Sequence, residues 1–374
     1  MVASLSDFSA GLEHEYEDQG YPNAVRVDQQ VPVYDGNRLR VLDTSQWQAV
    51  YHEWADCWLR GAGIIVISAF YARRETVNAM TRVLDRILDQ EYKDQNTIGD
   101  HFNRQGTNKR LWNAVEKAAV ADPRVFIDYY QNPLLGAAAE AWLGPGYQVT
   151  AQVNLVPPGS PAQEPHRDYH LGFQNIDEVA RYPLHTQTMS ALLTLQAAVA
   201  HVDIPVESGP TRVLPHSQKY ELGYQLYHRD DFKAYFEKRS VQLPLAMGDA
   251  IFFNPALMHA AGANNSMDVQ RMVNLLQISS AFGIPMEAVD RDRIQLACYE
   301  ILRKSTPVGS ALETLATVMS DSYPFPTNLD RDVPGSSLAP TSSKQLLLNA
   351  LEKGWEMSRF KHSLEDYRWR RRSA

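Results

Sequence analysis

Cysteine is nearly absent from this 374-residue chain: Cys57 and Cys298 are the only two, and neither sits in a C-x-x-C or Cys/His spacing. That excludes a disulfide scaffold and a thiolate metal or redox motif, and fits a reducing compartment. No run of 18 apolar residues occurs, so no segment is a candidate for a membrane-spanning helix. Positive charge is not in surplus either. Lys and Arg number 36 against 44 Asp and Glu, a net charge of −8, whereas nucleic acid as main partner needs basic clusters. The opening MVASLSDFSAGLEHEYEDQG has neither the basic nor the apolar region of a secretion signal. The closing RRSA is not a peroxisomal address. These absences lead us to expect a cytoplasmic protein with no nucleic-acid or membrane partner. Oligomeric state is not legible.

What is present is an ordinary globular composition, 44% hydrophobic and 21% charged. A chain of this length buries a sizeable core without staples, so a metal here is expected to be catalytic. We expect one domain over 1–374, in three parts: an N-terminal helical layer at 45–146, a core carrying the site at 147–284, and a C-terminal helical extension at 285–374. Residues 1–44 read as polar and irregular. A helix is expected from an N-cap near Ser45 through QWQAVYHEWADCWLR to the Gly61-Ala62-Gly63 stop. A short strand follows at Ile64–Ser68, then a helix in YARRETVNAMTRVLDRILDQ, another over roughly 109–121, and a third in PLLGAAAEAWLG.

From Tyr147 the pattern turns to strands: TAQVNLVPPG, TMSALLTLQAAVAHV, SVQLPLAM, DAIFFN and RMVNLLQIS, punctuated by Gly, Pro and Asn. Many short strands so spaced suggest a jelly roll or related double-sheet barrel. Helices, then strands, then helices imply an α+β protein with a mainly β core, a double-stranded β-helix of the jelly-roll or cupin-like kind. The stretch 322–343 reads as a loop, KQLLLNALEKGWEM as a last helix, and YRWRRRSA as a solvated terminus.

The chemistry concentrates in EPHRDYH, NPALMHAAG and VQRMVNLLQ. On a strand, residues i and i+2 share a face, so His166 and Asp168 can point at one ion. A third ligand from a distant strand, such as His259, would complete a two-histidine, one-carboxylate set with open positions, which suits non-haem iron(II) oxygenases. Arg271 opens a strand whose alternate residues are Val273 and Leu275. A guanidinium on that apolar face needs a partner and suits a bidentate carboxylate.

The neighbours of these residues strengthen the signal. WADCWLRGAGIIVISAF, PLLGAAAEAWLGPGYQV, AQVNLVPPG before HRD, ESGPTRVLPHSQ, and GDAIFFNPALMHAAGANNS with Arg271 beyond it occur in the order seen in phytanoyl-CoA dioxygenase-like enzymes. Over roughly residues 52–283 the chain resembles that family of Fe(II)- and 2-oxoglutarate-dependent dioxygenases. The resemblance implies that His166, Asp168 and His259 hold iron and that Arg271 binds the distal carboxylate of 2-oxoglutarate. It implies oxidation, typically hydroxylation, of a C–H bond of a small organic molecule, with dioxygen and 2-oxoglutarate as the other partners. The family acts on acyl-CoAs, amino-acid derivatives, phosphonates and natural-product intermediates; the acidic chain favours a secondary-metabolite intermediate. Gln152 resembles the family glutamine that approaches the co-substrate, and an ordinary polar strand residue is the competing reading.

Two departures stand out. Where the family often has a hydroxyl two residues after the distal histidine, this chain has Ala261, so another donor must help Arg271, with Thr188 and Thr194 as candidates. The connection from TLQAAVAHVD to ESGP also looks long. His170 shares strand parity with His166 and Asp168 and could line the substrate pocket, or serve as a structural histidine. His216 reads as structural. The basic cluster Arg104, Lys109 and Arg110 could meet an anionic substrate, but reads better as a solvated face. The competing class is a cupin-like isomerase or metal-binding module without redox turnover, against which Arg271 and the Ser-Gly-Pro stretch count. Halogenases of this scaffold lack the carboxylate ligand; Asp168 is present.

Overall fold

Two β-sheets position everything that follows in the computed structural model of the chain, which describes residues 4–12, 20–94 and 108–373. Among the described residues the strands are β1 (Arg26–Asp28), β2 (Val31–Asp35), β3 (Ile64–Ser68), β4 (Lys109–Leu111), β5 (Tyr147–Val156) and β6 (Thr194–Ala200). They continue with β7 (Thr211–Val213), β8 (Val241–Gln242), β9 (Ala250–Phe253), β10 (His259–Ala261) and β11 (Arg271–Ser280). The large sheet runs β1-β2-β3-β9-β6-β11-β5-β4 and the small one β10-β7-β8. Every pairing is antiparallel except β2 with β3. Side chains of both sheets line one cavity, the arrangement of a double-stranded β-helix.

The long central strands β5 and β11 are buried almost throughout, because one face meets the cavity and the other meets helices. That reverse face packs against the helices Ala114–Ala121, Pro133–Leu143 and Ser310–Met319. Two faces of different use on one strand explain why the apolar pattern of β11 is broken by Arg271, Asn274 and Gln277.

The elements depart from expectation in several places. The helix Thr44–Leu59 is capped by Asp43, not Ser45. The Asp43 carboxylate accepts from the Ser45 and Gln46 amides, and the Gln46 side chain accepts from the Asp43 amide at 2.9 Å, a reciprocal box that Ser45 could not form. Residues 26–35 are strands rather than irregular chain, held by β3. The stretch 109–121 divides into β4 and the helix Ala114–Ala121, with Asn113 at φ 52° making the break. An unexpected helix, Pro123–Tyr130, follows, started by Pro123 and capped by Asp122. TMSALLTLQAAVAHV is not one strand: Leu184–Leu192 is helical and only Thr194–Ala200 is extended.

The C-terminal tail is not a solvated terminus. Met357–Arg370 forms a helix whose Phe360, Leu364 and Tyr367 are buried, the spacing of one helical face. Arg368 pairs with Asp292 at 2.6 Å and Asp321 at 3.2 Å, and Arg370 with Asp332 at 3.0 Å. The basic run is thus spent on acidic groups of its own chain. No helix among the described residues is long and apolar enough to cross a membrane.

Candidate metal centre

His259 opens β10 and pairs through both backbone bonds with His166, N–H to carbonyl at 2.9 and 3.0 Å. His166 has only this bridge, so the strand expected through HRDYH does not continue. The side-chain alternation nonetheless survives over three residues, because the chain is pinned on both sides of it. The Asp168 amide donates to the Pro255 carbonyl at 3.0 Å, and Tyr224 Oη donates to the Asp168 carbonyl at 2.6 Å. Arg167 points the other way, buried, donating to the Tyr220 and Ser217 carbonyls. Beyond Asp168 the parity argument fails. His170 takes φ 47° and starts a 3-10 turn, His170–Phe173. Its ring nitrogens lie 3.3 Å from Ser190 Oγ and 3.2 Å from the Ile284 carbonyl. His170 is not among the residues that line the cavity; Gly172 and Phe173 are.

The two imidazoles are set in one tautomer. His166 Nδ1 lies 2.8 Å from the Glu164 carbonyl and His259 Nδ1 lies 2.8 Å from the Leu257 carbonyl. A carbonyl only accepts, so Nδ1 carries the hydrogen in each ring and Nε2 presents its lone pair. His166 Nε2 is 3.8 Å from Asp168 Oδ1, and His259 Nε2 is 3.5 Å from Asp168 Oδ2. Among the described residues these three form the group able to hold a metal, with ligand atoms all within 4.8 Å of one another. Gln196 Nε2 donates to Asp168 Oδ2 at 2.7 Å. Burial alone would push the Asp168 carboxyl up, but His166, His259 and the Gln196 amide together hold it below the usual carboxylate range. Burial, then His259 beside it, lowers the basicity of His166. The centre therefore offers two imidazole nitrogens and one carboxylate, the donor set of an iron(II) site with open positions.

These atoms open into a cavity of about 400 Å³. Its floor is one face of the large sheet: Gln152 and Asn154 of β5, Arg271, Val273, Leu275 and Gln277 of β11, and Gln196 of β6. Arg271 is 4% exposed. Its Nη1 donates to the Ser208 carbonyl at 2.8 Å and the Gly262 carbonyl at 2.9 Å. No carboxylate among the described residues pairs with it, and burial pulls its pKa down to about 10. The Ser-Gly-Pro stretch has a physical reason here. Gly209 has φ 75°, and a Cβ there would stand 2.6 Å from Arg271 Nη1. Gln152, 1% exposed, places Nε2 3.7 Å from Met286 Sδ and receives Gln277 Nε2 at 3.5 Å.

Other expected roles fall differently. Thr188 is on a helix, donating to the Leu184 carbonyl, and Thr194 is buried; neither lines the cavity. Thr211, directly after ESGP and opposite Ala261 in the β7–β10 register, does line it. It brings a hydroxyl-bearing side chain to the cavity wall across from Ala261. Arg110 lines the cavity rather than a solvated face, because it pairs in register with Asn154. Lys109 points away to Asp89 at 3.9 Å, and Arg104 lies outside the described residues. His216 is buried at φ 69° with its amide on the Ala62 carbonyl, a structural place.

A model of the phytanoyl-CoA dioxygenase family matches residues 59–273. The chain belongs to the phytanoyl-CoA dioxygenase family. Among curated proteins, this family member is 26% identical over 222 residues to "Dioxygenase andF" of Emericella variicolor, covering 57% of this chain and 69% of that one. It is 27% identical over 198 residues to uncharacterized protein YJR154W of Saccharomyces cerevisiae, covering 53% of this chain and 50% of that one. Solved structures that resemble it include the non-heme α-ketoglutarate-dependent epimerase SnoN from nogalamycin biosynthesis, at 20% identity and TM-score 0.43, with coverage of 63% and 84%. The carbocyclase SnoK from the same biosynthesis matches at 19% identity and TM-score 0.46, with coverage of 65% and 85%. The family's cofactors, Fe(II) and 2-oxoglutarate, fit what this site offers: a two-histidine, one-carboxylate triad, and a buried guanidinium with no carboxylate partner among the described residues.

Proposed function

We propose that this family member is an Fe(II)- and 2-oxoglutarate-dependent oxygenase that hydroxylates a C–H bond of a small organic molecule, a natural-product intermediate being the substrate class we favour. The observation that carries the reading is the convergence of His166 Nε2, His259 Nε2 and the Asp168 carboxylate on a cavity floored by Arg271, which has no carboxylate partner among the described residues. In it, His166, Asp168 and His259 hold the metal, Arg271 holds the distal carboxylate of 2-oxoglutarate, and Thr211 stands by as the assisting hydroxyl. Bound iron and 2-oxoglutarate supply the means to activate dioxygen for C–H oxidation. The chain supplies placement. The Glu164 and Leu257 carbonyls orient the two imidazoles, Gln196 keeps one Asp168 oxygen occupied, and the apolar wall of Val273, Leu275 and Phe253 excludes water from the reacting carbon.

A cupin-like module without redox turnover has no use for a buried cation that lacks an internal carboxylate, which weighs against it. The test is direct. Purified protein given iron(II) under anaerobic conditions should bind one ion per chain. With 2-oxoglutarate it should develop the iron-to-keto-acid charge-transfer absorption, and on admission of air it should release succinate. Succinate release undiminished by a strong iron chelator, or no charge-transfer absorption, would overturn the reading.

A further inference from the structure

Three side-chain carbonyl oxygens of the cavity residues are buried with no donor among the described residues: Gln196 Oε1, Gln277 Oε1 and Asn154 Oδ1. Their residues are 3, 5 and 6% exposed. Gln196 and Gln277 are direct partners across β6 and β11. The sense of Gln196 is fixed by chemistry. An ionised carboxylate can only accept, so the amide nitrogen must face Asp168 and the oxygen must face away from it. The Gln277 nitrogen reaches Gln152 Oε1 at 3.5 Å, which leaves its oxygen open too.

A buried acceptor left unmade is costly, and native proteins rarely tolerate several together. The cofactors cannot serve these oxygens. 2-Oxoglutarate carries two carboxylates and a ketone, all acceptors, and a metal ion takes lone pairs without giving a hydrogen bond. The remaining sources of a donor are solvent and the molecule that is oxidised. The remaining wall, including Trp112, Phe173, Leu245 and Met286, offers it mainly apolar contact.

We propose that Gln196, with Gln277 opposite, is the specificity determinant of this site and accepts a hydrogen bond from an O–H or N–H group of the substrate. The substrate class is a mainly apolar skeleton that bears a hydroxyl or amine donor close to the carbon oxidised. Closeness follows from the position of Gln196: one amide separates a donor on its oxygen from the Asp168 carboxylate. The proposal rests on the oxygenase reading above and adds the hydrogen-bonding character of the substrate to it.

The experiment uses the full chain loaded anaerobically with iron(II) and 2-oxoglutarate. The probes are 1-indanol, borneol and 2-phenylethanol, each against its methyl ether, which keeps the skeleton and the oxygen and replaces the donor hydrogen with a methyl group. Binding is read from the shift each probe causes in the charge-transfer absorption, so no turnover is needed. A site built to bond a hydroxyl discriminates strongly against the analogue lacking it, so the tighter alcohols should exceed their ethers by at least about tenfold. In Gln196→Met the preference should shrink to about twofold or less, the level of a site with no polar group left to satisfy. Gln277→Met, which touches no residue of the metal triad, should shrink it in part, with 2-oxoglutarate affinity unchanged. Ethers that bind as tightly as alcohols would mean that solvent serves these oxygens, and would overturn the proposal. So would alcohols that fail to bind at millimolar concentration, or a preference unchanged in both variants. If the charge-transfer absorption itself never forms, the cofactor reading has failed instead, and the same alcohol-to-ether preference is then read by thermal shift.

Discussion

Histidines lie on either side of the large sheet, toward the helices and across the cavity, and the two sides treat them oppositely. On the helix side, His201 spends both ring nitrogens on the protein. Thr81 Oγ1 lies 2.9 Å from its Nδ1, and Tyr129 Oη 2.9 Å from its Nε2. Thr81 already donates to the Val77 carbonyl, so it accepts from Nδ1–H, and the tyrosine donates to Nε2. On the cavity side, His166 and His259 each spend only Nδ1 and leave Nε2 over. Asn274, facing the helices on the same strand as Gln277, donates to Tyr129 and Tyr130 at 3.2 and 3.4 Å, and the side-chain oxygens of both residues have no donor among the described residues. Burial alone does not mark the functional residues, since all of these are buried or nearly so. Among these histidines, the ring nitrogen left over for a metal does.

That contrast can be broken most severely at Asp168. Asp168→Ala removes a ligand and the charge between two imidazoles, and should abolish turnover. Outer partners of a metal ligand alone are worth roughly 10–100-fold in affinity, so losing the ligand should weaken iron binding by more than that, with thermal stability little changed. An iron titration of the variant that matches wild type would show that the cavity face holds no metal.

Arg271 comes next. Removing one partner of a buried ion pair costs about 3–5 kcal/mol. At about 1.4 kcal/mol per tenfold, Arg271→Ala should weaken 2-oxoglutarate by roughly two to three and a half decades. Arg271→Lys should recover part of that, keeping the charge but not the fork. Iron affinity should hold in both. A co-substrate titration of the alanine variant that overlays wild type would make Arg271 a packing residue, bound only to its two carbonyls.

The helix face should answer in stability and not in binding. Tyr129→Phe strips His201 Nε2 of its donor and Asn274 of one acceptor, and leaving a buried polar atom unpaired costs about 1–3 kcal/mol. Denaturant unfolding should register that loss while iron and 2-oxoglutarate affinities stay put. An altered metal affinity instead would mean that the two faces are coupled through β11.

How far the sequence reveals this division depends on which neighbours a residue needs. His166, Asp168, His259 and Arg271 were legible as residue types within ordered motifs, even though the strand invoked for H-x-D shrinks to a single bridge at His166. What replaces the strand, the Pro255 and Tyr224 anchors of Asp168, comes from far along the chain and leaves no local trace. Gln196 was invisible for the same reason. It lay in an apolar run read as one strand from Thr188, and its role appears only when the fold sets it beside Asp168. Arg110 was misjudged because only its register with Asn154 turns it inward. The strands at 26–35 lack sequence periodicity and depend on each other and on the pairing of β2 with β3. The Asp43 box, by contrast, was readable in D-T-S-Q, and Ser45 was simply the wrong member of that run.

The gentlest test of the contrast is pH. Burial pulls the His201 pKa down to about 3, against about 6.5 for an unfolded chain. Folded His201 therefore refuses a proton that the unfolded state accepts. Its contribution to stability is fully present above about pH 6.5 and is lost as the pH falls from there toward 3, at no more than about 1.4 kcal/mol per pH unit. His201→Gln offers one donor and one acceptor in a similar place but does not titrate. The variant should unfold more easily than wild type at pH 8, and its deficit should narrow as the pH drops from 7 to 5, because only wild type carries this proton linkage. The cavity histidines are common to both proteins, so they cancel in the difference. Melting temperatures measured in parallel across that range decide the matter. Curves that stay parallel would mean that His201 takes up its proton in the folded state after all, and that the helix face is less closed than its hydrogen bonds imply.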